Sequence, residues 1–277
     1  MTSLRDYIWG STRQELDRMR HDATCLKSPT LQVLRHLKVG EGARCMDVSC
    51  GTGDSLHLLG QLAGPSGRVT GLDPEGLVGP AALAELTART MSSLSVFQLD
   101  AEEIEEVPGG PYDLTLCRLS MAYQLQPAEM LRKMFRWTAP GGVMLVQEYD
   151  FRTIDVHPRP RLWDEFERVV HGVLHDVGVD PGFGVRLPGY FAAAGLGASD
   201  GTQVVGALTS FPHTGWYLVA TYRSLLPRAL ELGVTTEAAS KEFLDEIAAF
   251  PADEHRSTLS ALVVGAWKRK PEEEPSW

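Results

Sequence analysis

The sequence predicts an α/β fold, a doubly wound and mostly parallel sheet with helices on both faces. Three observations predict it. Short apolar segments recur between residues 43 and 150, and their ends carry acidic or other polar residues. Stretches with apolar positions at helical spacing alternate with them. Between the first strand and the first core helix lies a glycine turn, Ser49-Cys50-Gly51-Thr52-Gly53-Asp54. Strands alternating with helices in this way build a parallel sheet, and its ligands bind beyond the carboxyl ends of the strands.

The elements follow in order. Residues 1–40 read as two helices. One starts at Ser11. The other starts at Ser28-Pro29, a capping serine with proline at the first helical position, shows an apolar face of Leu31, Leu34 and Leu37, and stops at Gly40. The first strand spans 43–48 and closes on Asp47, and a helix over 55–62 follows the glycine turn. Strands at 68–72, 95–99, 112–117 and 142–146 lead into Asp73, Asp100, Arg118 and Gln147-Glu148. Gly64-Pro65-Ser66-Gly67 and Pro108-Gly109-Gly110-Pro111 are turns between them.

Beyond Asp150, His157-Pro158-Arg159-Pro160 interrupts the chain. Residues 162–177 then read as a helix, with Trp163, Phe166, Val170, Val173 and Val177 on one face. A short helix starts at Leu187 and ends near Gly195. A strand at 203–208, helices at 215–232 and 237–250, and a last strand at 260–267 complete the reading. The chain therefore divides into an N-terminal helical cap (1–40), a ligand-binding core (41–150), a lid insertion (151–213), a segment that completes the core (214–267) and a frayed tail (268–277).

Composition removes several function classes. The 277 residues carry a formal net charge of −10, which argues against a nucleic-acid or anionic-membrane surface. No apolar run is long enough to span a bilayer, and the first residues do not resemble a secretory signal. The four cysteines, Cys25, Cys45, Cys50 and Cys117, form no C-x-x-C pair and fit reduced, packed thiols in the cytoplasm. His171 and His175 stand four residues apart, a spacing that can bind a metal. Without a third ligand they read as a polar helix face, and no metal is expected.

The glycine turn sets the ligand's chemistry. A dinucleotide fingerprint needs glycines at its first, third and sixth positions. Gly51 and Gly53 supply two, but the sixth is Leu56. A phosphate loop needs Gly-Lys-Ser/Thr, and no lysine follows. Asp47 and Asp54 would repel a pyrophosphate and attract an ammonium or sulfonium. Asp73 lies about twenty residues past the turn, the spacing at which an acid reaches a ribose diol. Asp100 to Glu102 stand where an acid could reach an adenine amino group.

These segments resemble class I S-adenosylmethionine-dependent methyltransferases, above all the bacterial small-molecule and natural-product group related to ubiquinone/menaquinone-biosynthesis methyltransferases. Asp47 to Gly53 is similar to that family's glycine loop, Gly71-Leu72-Asp73-Pro74 to its ribose-binding segment and Asp100-Ala101-Glu102 to its adenine-side segment. The run from Tyr112 to Gln124, followed by Thr138-Ala139-Pro140-Gly141-Gly142, resembles its later motifs. Tyr7 to Ser11, with Glu15 and Arg18, and Pro181 to Pro188 also look like this group. The resemblance implies a Rossmann-like, seven-stranded sheet and methyl transfer from S-adenosyl-L-methionine, with S-adenosyl-L-homocysteine as product. It implies a cofactor site of Tyr7, Asp47, Ser49, Gly51, Gly53, Asp73, Pro74, Asp100, Ala101, Glu102, Arg118 and Leu119. The family usually has glycine where Ser49 stands. Arg118 is open to three readings: a bond to the methionine carboxylate, a bond to a nearby acid, or an ion pair with Asp113 or Glu148.

Methyl transfer from a sulfonium needs positioning and exclusion of water, and a base only when the acceptor must lose a proton. Tyr123, Glu148, Tyr149, His157, His175 and His213 are the candidates near the acceptor. His157 and Tyr123 lead, because His157 follows the fifth strand and opens the lid, and histidine titrates near neutrality. The expected acceptor is a small, fairly apolar molecule in specialised metabolism, methylated at oxygen, nitrogen or carbon by a monomer or homodimer. A non-methylating cyclase on the same scaffold is the alternative that Ser49 keeps open.

Overall fold

The structure, a computed structural model, describes residues 13–90, 92–250 and 255–272. Five parallel strands form one side of its main sheet: β1 (Arg44–Val48), β2 (Arg68–Leu72), β3 (Ser93–Phe97), β4 (Tyr112–Arg118) and β5 (Thr138–Asp150), in the order β3-β2-β1-β4-β5. The chain steps outward from β1 to β3, then returns to the other side of β1 for β4 and β5. The crevice between β1 and β4 is therefore the switch point at which open parallel sheets bind ligands. The C-terminal β10 (Leu262–Arg269) runs antiparallel beside β5, and β7 (Gly201–Val205) runs antiparallel beside β10, so the sheet has seven strands. A second sheet of three short strands joins β6 (Asp155–His157), β9 (Ser257–Leu259) and β8 (Leu208–Ser210).

Alternation along the strands feeds two cores. Cys45, Leu114, Leu116 and Leu145 pack with α1 (Arg13–His36) and α2 (Asp54–Ala63), which contribute Val33, Leu34, Leu56 and Leu59. Met46, Val48, Met144 and Val146 belong to the opposite core. It is completed by α4 (Pro127–Trp137), α5 (Trp163–Asp176), α6 (Phe183–Ala193), α7 (Phe211–Glu231) and α8 (Glu237–Ala248). On α5, Trp163 and Phe166 stack at 4.6 Å, and Phe166 packs in turn against Tyr222 and Phe243. The remaining helix, α3 (Pro80–Thr90), lies between β2 and β3 in the chain.

Three elements differ from the sequence reading. The two helices expected before residue 40 are one, with Pro29 inside it. Proline removes only one N–H, and the Pro29 carbonyl is held by the side-chain amide of Gln203 at 3.2 Å. Tertiary packing thus carries the helix across a residue that reads locally as a start. The strand expected at 203–208 is split into β7 and β8, which belong to different sheets. β7 falls inside the segment read as a lid, yet it is an edge strand of the main sheet. The short helix expected from Leu187 already begins at Phe183, because Gly184 lets α6 lie against the backbone of Glu148 and Tyr149, where a Cβ would meet three backbone atoms at 2.8–2.9 Å.

Candidate active site at the carboxyl edge of the sheet

The glycine turn leaves β1 through an alternating backbone. Ser49, Gly51 and Gly53 all have left-handed φ values, of 61°, 53° and 85°. That conformation is free to glycine and costs other residues about 1–2 kcal/mol. Ser49 therefore takes the backbone shape that a glycine would take there. The neighbouring strand, β4, is also followed by a left-handed non-glycine residue, Leu119, with φ 61°. Its N–H is fixed by the Gln147 carbonyl at 2.8 Å. Both strand ends that flank the switch point are thus held in an unfavourable conformation by their surroundings, as at many ligand sites.

Asp73 fastens the turn. One carboxylate oxygen accepts the Gly51 N–H at 3.0 Å and the other accepts the Glu75 N–H at 3.1 Å. Burial raises its pKa, and backbone N–H groups from Gly51, Leu77, Glu75 and Gly76 oppose the rise. Gly71, next to Asp47 in register, leaves room for Cys50, whose sulfur would lie 2.8 Å from a Cβ.

Asp47 is the least satisfied group on this edge. It is 1% exposed, and neither carboxylate oxygen has a hydrogen-bond partner. Its pKa is raised to about 6, chiefly by burial, with Asp73 adding to the rise and Ser55 and Arg118 opposing it. Arg118 donates to the Ser55 hydroxyl at 3.4 Å. Its sequence-based partners are engaged elsewhere: Asp113 is bound by Arg44, and Glu148 by backbone N–H groups. The ion-pair reading of Arg118 is therefore replaced by a place at the start of α2, beside Asp47.

Two further unpartnered acceptors stand along the same edge, Glu102 Oε2 after β3 and Gln124 Oε1 after β4. The other Glu102 oxygen accepts the Leu125 N–H at 2.6 Å, so Glu102 ties the segment after β3 to the loop after β4. Asp100 accepts the Glu102 N–H at 2.8 Å, and Ala101 is buried between them. The Pro74 carbonyl holds the Gln98 side chain. The edge is lined by acceptors that lack donors, which suits a ligand rich in N–H, O–H or positive charge.

The acceptor-side candidates separate. Tyr123 lies on the 3₁₀ turn Met121–Tyr123 and is half-buried. Glu148 pins that turn, accepting the Ala122 N–H at 3.0 Å and the Tyr149 N–H at 2.9 Å. Burial pushes its pKa up to about 7. His157, His175 and His213 are exposed, and His157 pairs through its strand with Ser257 in the small sheet. No hydrogen bond among the described residues joins His157 to the buried acids. Tyr7 and Trp9 lie outside the described residues, and among those described no group of three His, Cys, Asp or Glu side chains could hold a metal. A surface cleft of about 480 Å³, lined by residues 37–43, Asp113, residues 140–143 and Arg269, lies at the opposite edge of the sheet, where β1 and β4 begin.

Sequence reasoning missed Met19, Asp22, Ser55 and Tyr217. Met19 reaches the turn from α1, since a Cβ on Gly51 would lie 3.3 Å from its methyl group. The Arg18–Asp22 spacing of i, i+4 is visible in the sequence, but their partner Tyr217 is 199 residues from Arg18.

A family model described as "Methyltransferase domain" matches residues 40–174, from the approach to β1 to the end of α5. Residues 40–174 thus resemble a methyltransferase domain. The domain is similar to 2-phytyl-1,4-naphthoquinone methyltransferase of Thermosynechococcus vestitus, with 29% identity over 48% of this chain and 55% of that protein. It is also similar to a ubiquinone/menaquinone biosynthesis C-methyltransferase of Pseudomonas paraeruginosa (30%, 40% and 43%) and a trans-aconitate 2-methyltransferase of Methylobacterium nodulans (27%, 57% and 53%). The chain spans about half the length of the curated relatives it matches. The fold extends beyond the domain. The Bacillus subtilis protein YcgJ superposes with a TM-score of 0.54 at 14% identity, over 89% of this chain and 100% of that one. A cyclopropane-fatty-acyl-phospholipid synthase-like protein from Lactobacillus casei superposes at 0.52 and 15%, over 96% and 99%.

The methyltransferase domain fits S-adenosyl-L-methionine, the cofactor of its class. The unpartnered acceptors on Asp47, Glu102 and Gln124 are of the chemistry that would suit that molecule's cation, hydroxyls and amino group, and the turn that precedes α2 takes left-handed backbone at Gly51 and Gly53.

Proposed function

We propose that the chain methylates a small, fairly apolar acceptor, using S-adenosyl-L-methionine. The observation that carries this reading is Asp47, a carboxylate buried beside the glycine turn with no hydrogen-bond partner on either oxygen. A buried orphan of this kind is costly unless a ligand completes it. When bound, the cofactor supplies an electrophilic methyl group on a sulfonium and is left as S-adenosyl-L-homocysteine. Asp47 holds its cationic end, with Arg118 and Ser55 at the start of α2 close by. Asp73 takes the ribose hydroxyls while it keeps the turn closed. Asp100, Ala101 and Glu102 line the adenine side, and Ser49, Gly51, Gly53, Pro74 and Leu119 supply backbone walls. Tyr7 is assigned to the same site from the resemblance alone. Glu148 sets the turn that presents Tyr123 towards the acceptor.

The alternative of a non-methylating cyclase rested on Ser49. Its left-handed φ keeps the backbone that a glycine would adopt, so Ser49 leaves the cofactor loop its ordinary shape. No helix among the described residues is long and apolar enough to cross a membrane. The proposal includes action in the cytoplasm, in specialised metabolism, by a monomer or homodimer.

Calorimetric titration with S-adenosyl-L-methionine and with S-adenosyl-L-homocysteine tests the reading. Saturable binding of both, weakened in Asp47→Asn, supports it and leads to a mass-spectrometric search for acceptors that gain one methyl group. Absence of binding to either ligand refutes it.

A further inference from the structure

A second polar cluster lies across the switch point from the cofactor residues. Arg18 and Asp22 on α1 form an ion pair at 2.9 Å, with only 5% and 7% of their surfaces exposed. Arg18 also donates to the Tyr217 hydroxyl on α7 at 3.3 Å. Tyr217 and Tyr149, the latter near the end of β5, stand beside Asp22, and both favour its ionised form. Tyr149 is 8% exposed, whereas Tyr217 keeps part of its surface open beside Trp216, which is 43% exposed. His21 packs its ring against Trp216 and Tyr217, at 5.1 and 5.3 Å.

The placement of this cluster is informative. The residues assigned to the cofactor stand at the ends of β1, β2, β3 and β4, and Tyr149 stands near the end of the next strand, β5. One helix spans both regions. Met19 of α1 touches the glycine turn, and Asp22 follows three residues later, about 4.5 Å further along the axis. A buried Arg–Asp pair capped by two phenols adds little to stability, since apolar packing of the same volume serves a core as well or better. Here it stands at the edge that takes the ligand.

We propose that Tyr217 and Tyr149 bind the proton-bearing heteroatom of the acceptor and that Asp22, behind them, takes its proton. This rests on the methyl-transfer reading. The acceptor's lone pair becomes the bond to the methyl carbon, and the electrons of the broken methyl–sulfur bond stay on sulfur. The acceptor's proton passes to a tyrosine oxygen as that tyrosine's own proton passes to the Asp22 carboxylate, which becomes a neutral acid. Arg18 is a positioning residue that holds Asp22 and Tyr217 in register. The groups facing Asp22 are Arg18, His21 and Cys25 from α1, Tyr149 from β5 and Tyr217 from α7. Burial raises the affinity of Asp22 for a proton, against the Arg18 charge and the two neighbouring phenols.

The test uses a matched pair of probes, 2-naphthol and 2-methoxynaphthalene, titrated into the full chain saturated with S-adenosyl-L-homocysteine. The ether keeps the apolar ring system and lacks the donor hydrogen. The expected result is that 2-naphthol binds about tenfold more tightly, the ratio that one well-made buried hydrogen bond supports. That preference disappears in the Tyr149→Phe, Tyr217→Phe double variant, while S-adenosyl-L-homocysteine affinity is retained. Because 2-naphthol is a photoacid, its emission reports the proton directly. Bound to the native chain it emits as naphtholate, and in Asp22→Asn it emits as the neutral form. Equal affinity for the two probes, a preference untouched by the double variant, or neutral emission from the native chain overturns the proposal. If Asp22→Asn does not fold, the two phenylalanine substitutions still decide. Failure of S-adenosyl-L-homocysteine to bind the native chain refutes the methyl-transfer reading itself. Its binding without a naphthol preference refutes only this assignment.

Discussion

The Asp73 carboxylate accepts the Gly51 N–H at 3.0 Å, so the acid assigned to the ribose also closes the glycine turn. Asp73→Ala removes both functions and is expected to weaken S-adenosyl-L-homocysteine binding more than tenfold. Asp73→Asn retains one carbonyl oxygen for Gly51 but offers an amide donor where a second acceptor is needed. It should give an intermediate affinity with a native melting temperature. Calorimetry paired with thermal unfolding separates the two functions. Equal affinity in Asp73→Ala and the native chain would remove Asp73 from the site.

Asp47 predicts the pH dependence of cofactor binding. Its pKa stands at about 6, so it is largely neutral in more acidic solution and ionised above that value. A cationic ligand gains its partner only when Asp47 is ionised. S-adenosyl-L-methionine affinity should therefore strengthen as pH rises through about 6 and then level off. In Asp47→Asn binding should be weak and lack that step. Comparing the two chains at each pH cancels the titration of the ligand itself.

Ser49 occupies a glycine-like backbone with φ 61°. Ser49→Gly should stabilise the chain by up to ~1 kcal/mol, the relief of left-handed strain less the extra freedom of an unfolded glycine. Its affinity for S-adenosyl-L-homocysteine should stay close to native. Ser49→Val places a β-branched residue there and should destabilise by more than ~1 kcal/mol. Urea unfolding measures both changes, and a neutral Ser49→Val would show that the turn rearranges freely.

Glu148 sets a stability window. Its pKa is raised from 4.5 to about 7 by burial. Below 4.5 both folded and unfolded chains hold the proton, and its contribution is fully present. As pH rises towards 7 the unfolded chain has released the proton and the folded chain retains it, so stability falls. Glu148→Gln loses one acceptor for the backbone N–H groups of Ala122 and Tyr149, at a cost of about 1–3 kcal/mol. The gap between native and variant unfolding energies should therefore be widest in acid and narrow towards neutrality. A gap independent of pH would show that Glu148 does not titrate in this window.

His157 and Tyr217 make opposite predictions. His157 is exposed in the small sheet, whereas Tyr217 contacts the buried Arg18–Asp22 pair. Once an acceptor is known, His157→Ala is expected to keep turnover within about twofold, and Tyr217→Phe to lower kcat by about 10²-fold, the scale of one acid–base contribution. The reverse outcome would return the base to His157.

Local chemistry made much of this protein legible in its sequence. The period of apolar residues identified β1, β2, β4 and β5, and the glycine turn located the carboxyl edge on which Asp47, Asp73 and Asp100 to Glu102 stand. These signals are short-range, because a strand's alternation and a turn's backbone are set by neighbouring residues. Tertiary structure decided what long-range packing controls. It carried α1 through Pro29, gave β7 to the main sheet and β8 to the small one, and turned Arg118 towards Ser55. It also brought Arg18 and Asp22 to Tyr149 and Tyr217. No local pattern encodes these contacts, because each needs two distant segments to exclude water from the same place before a hydrogen bond between them outweighs solvation.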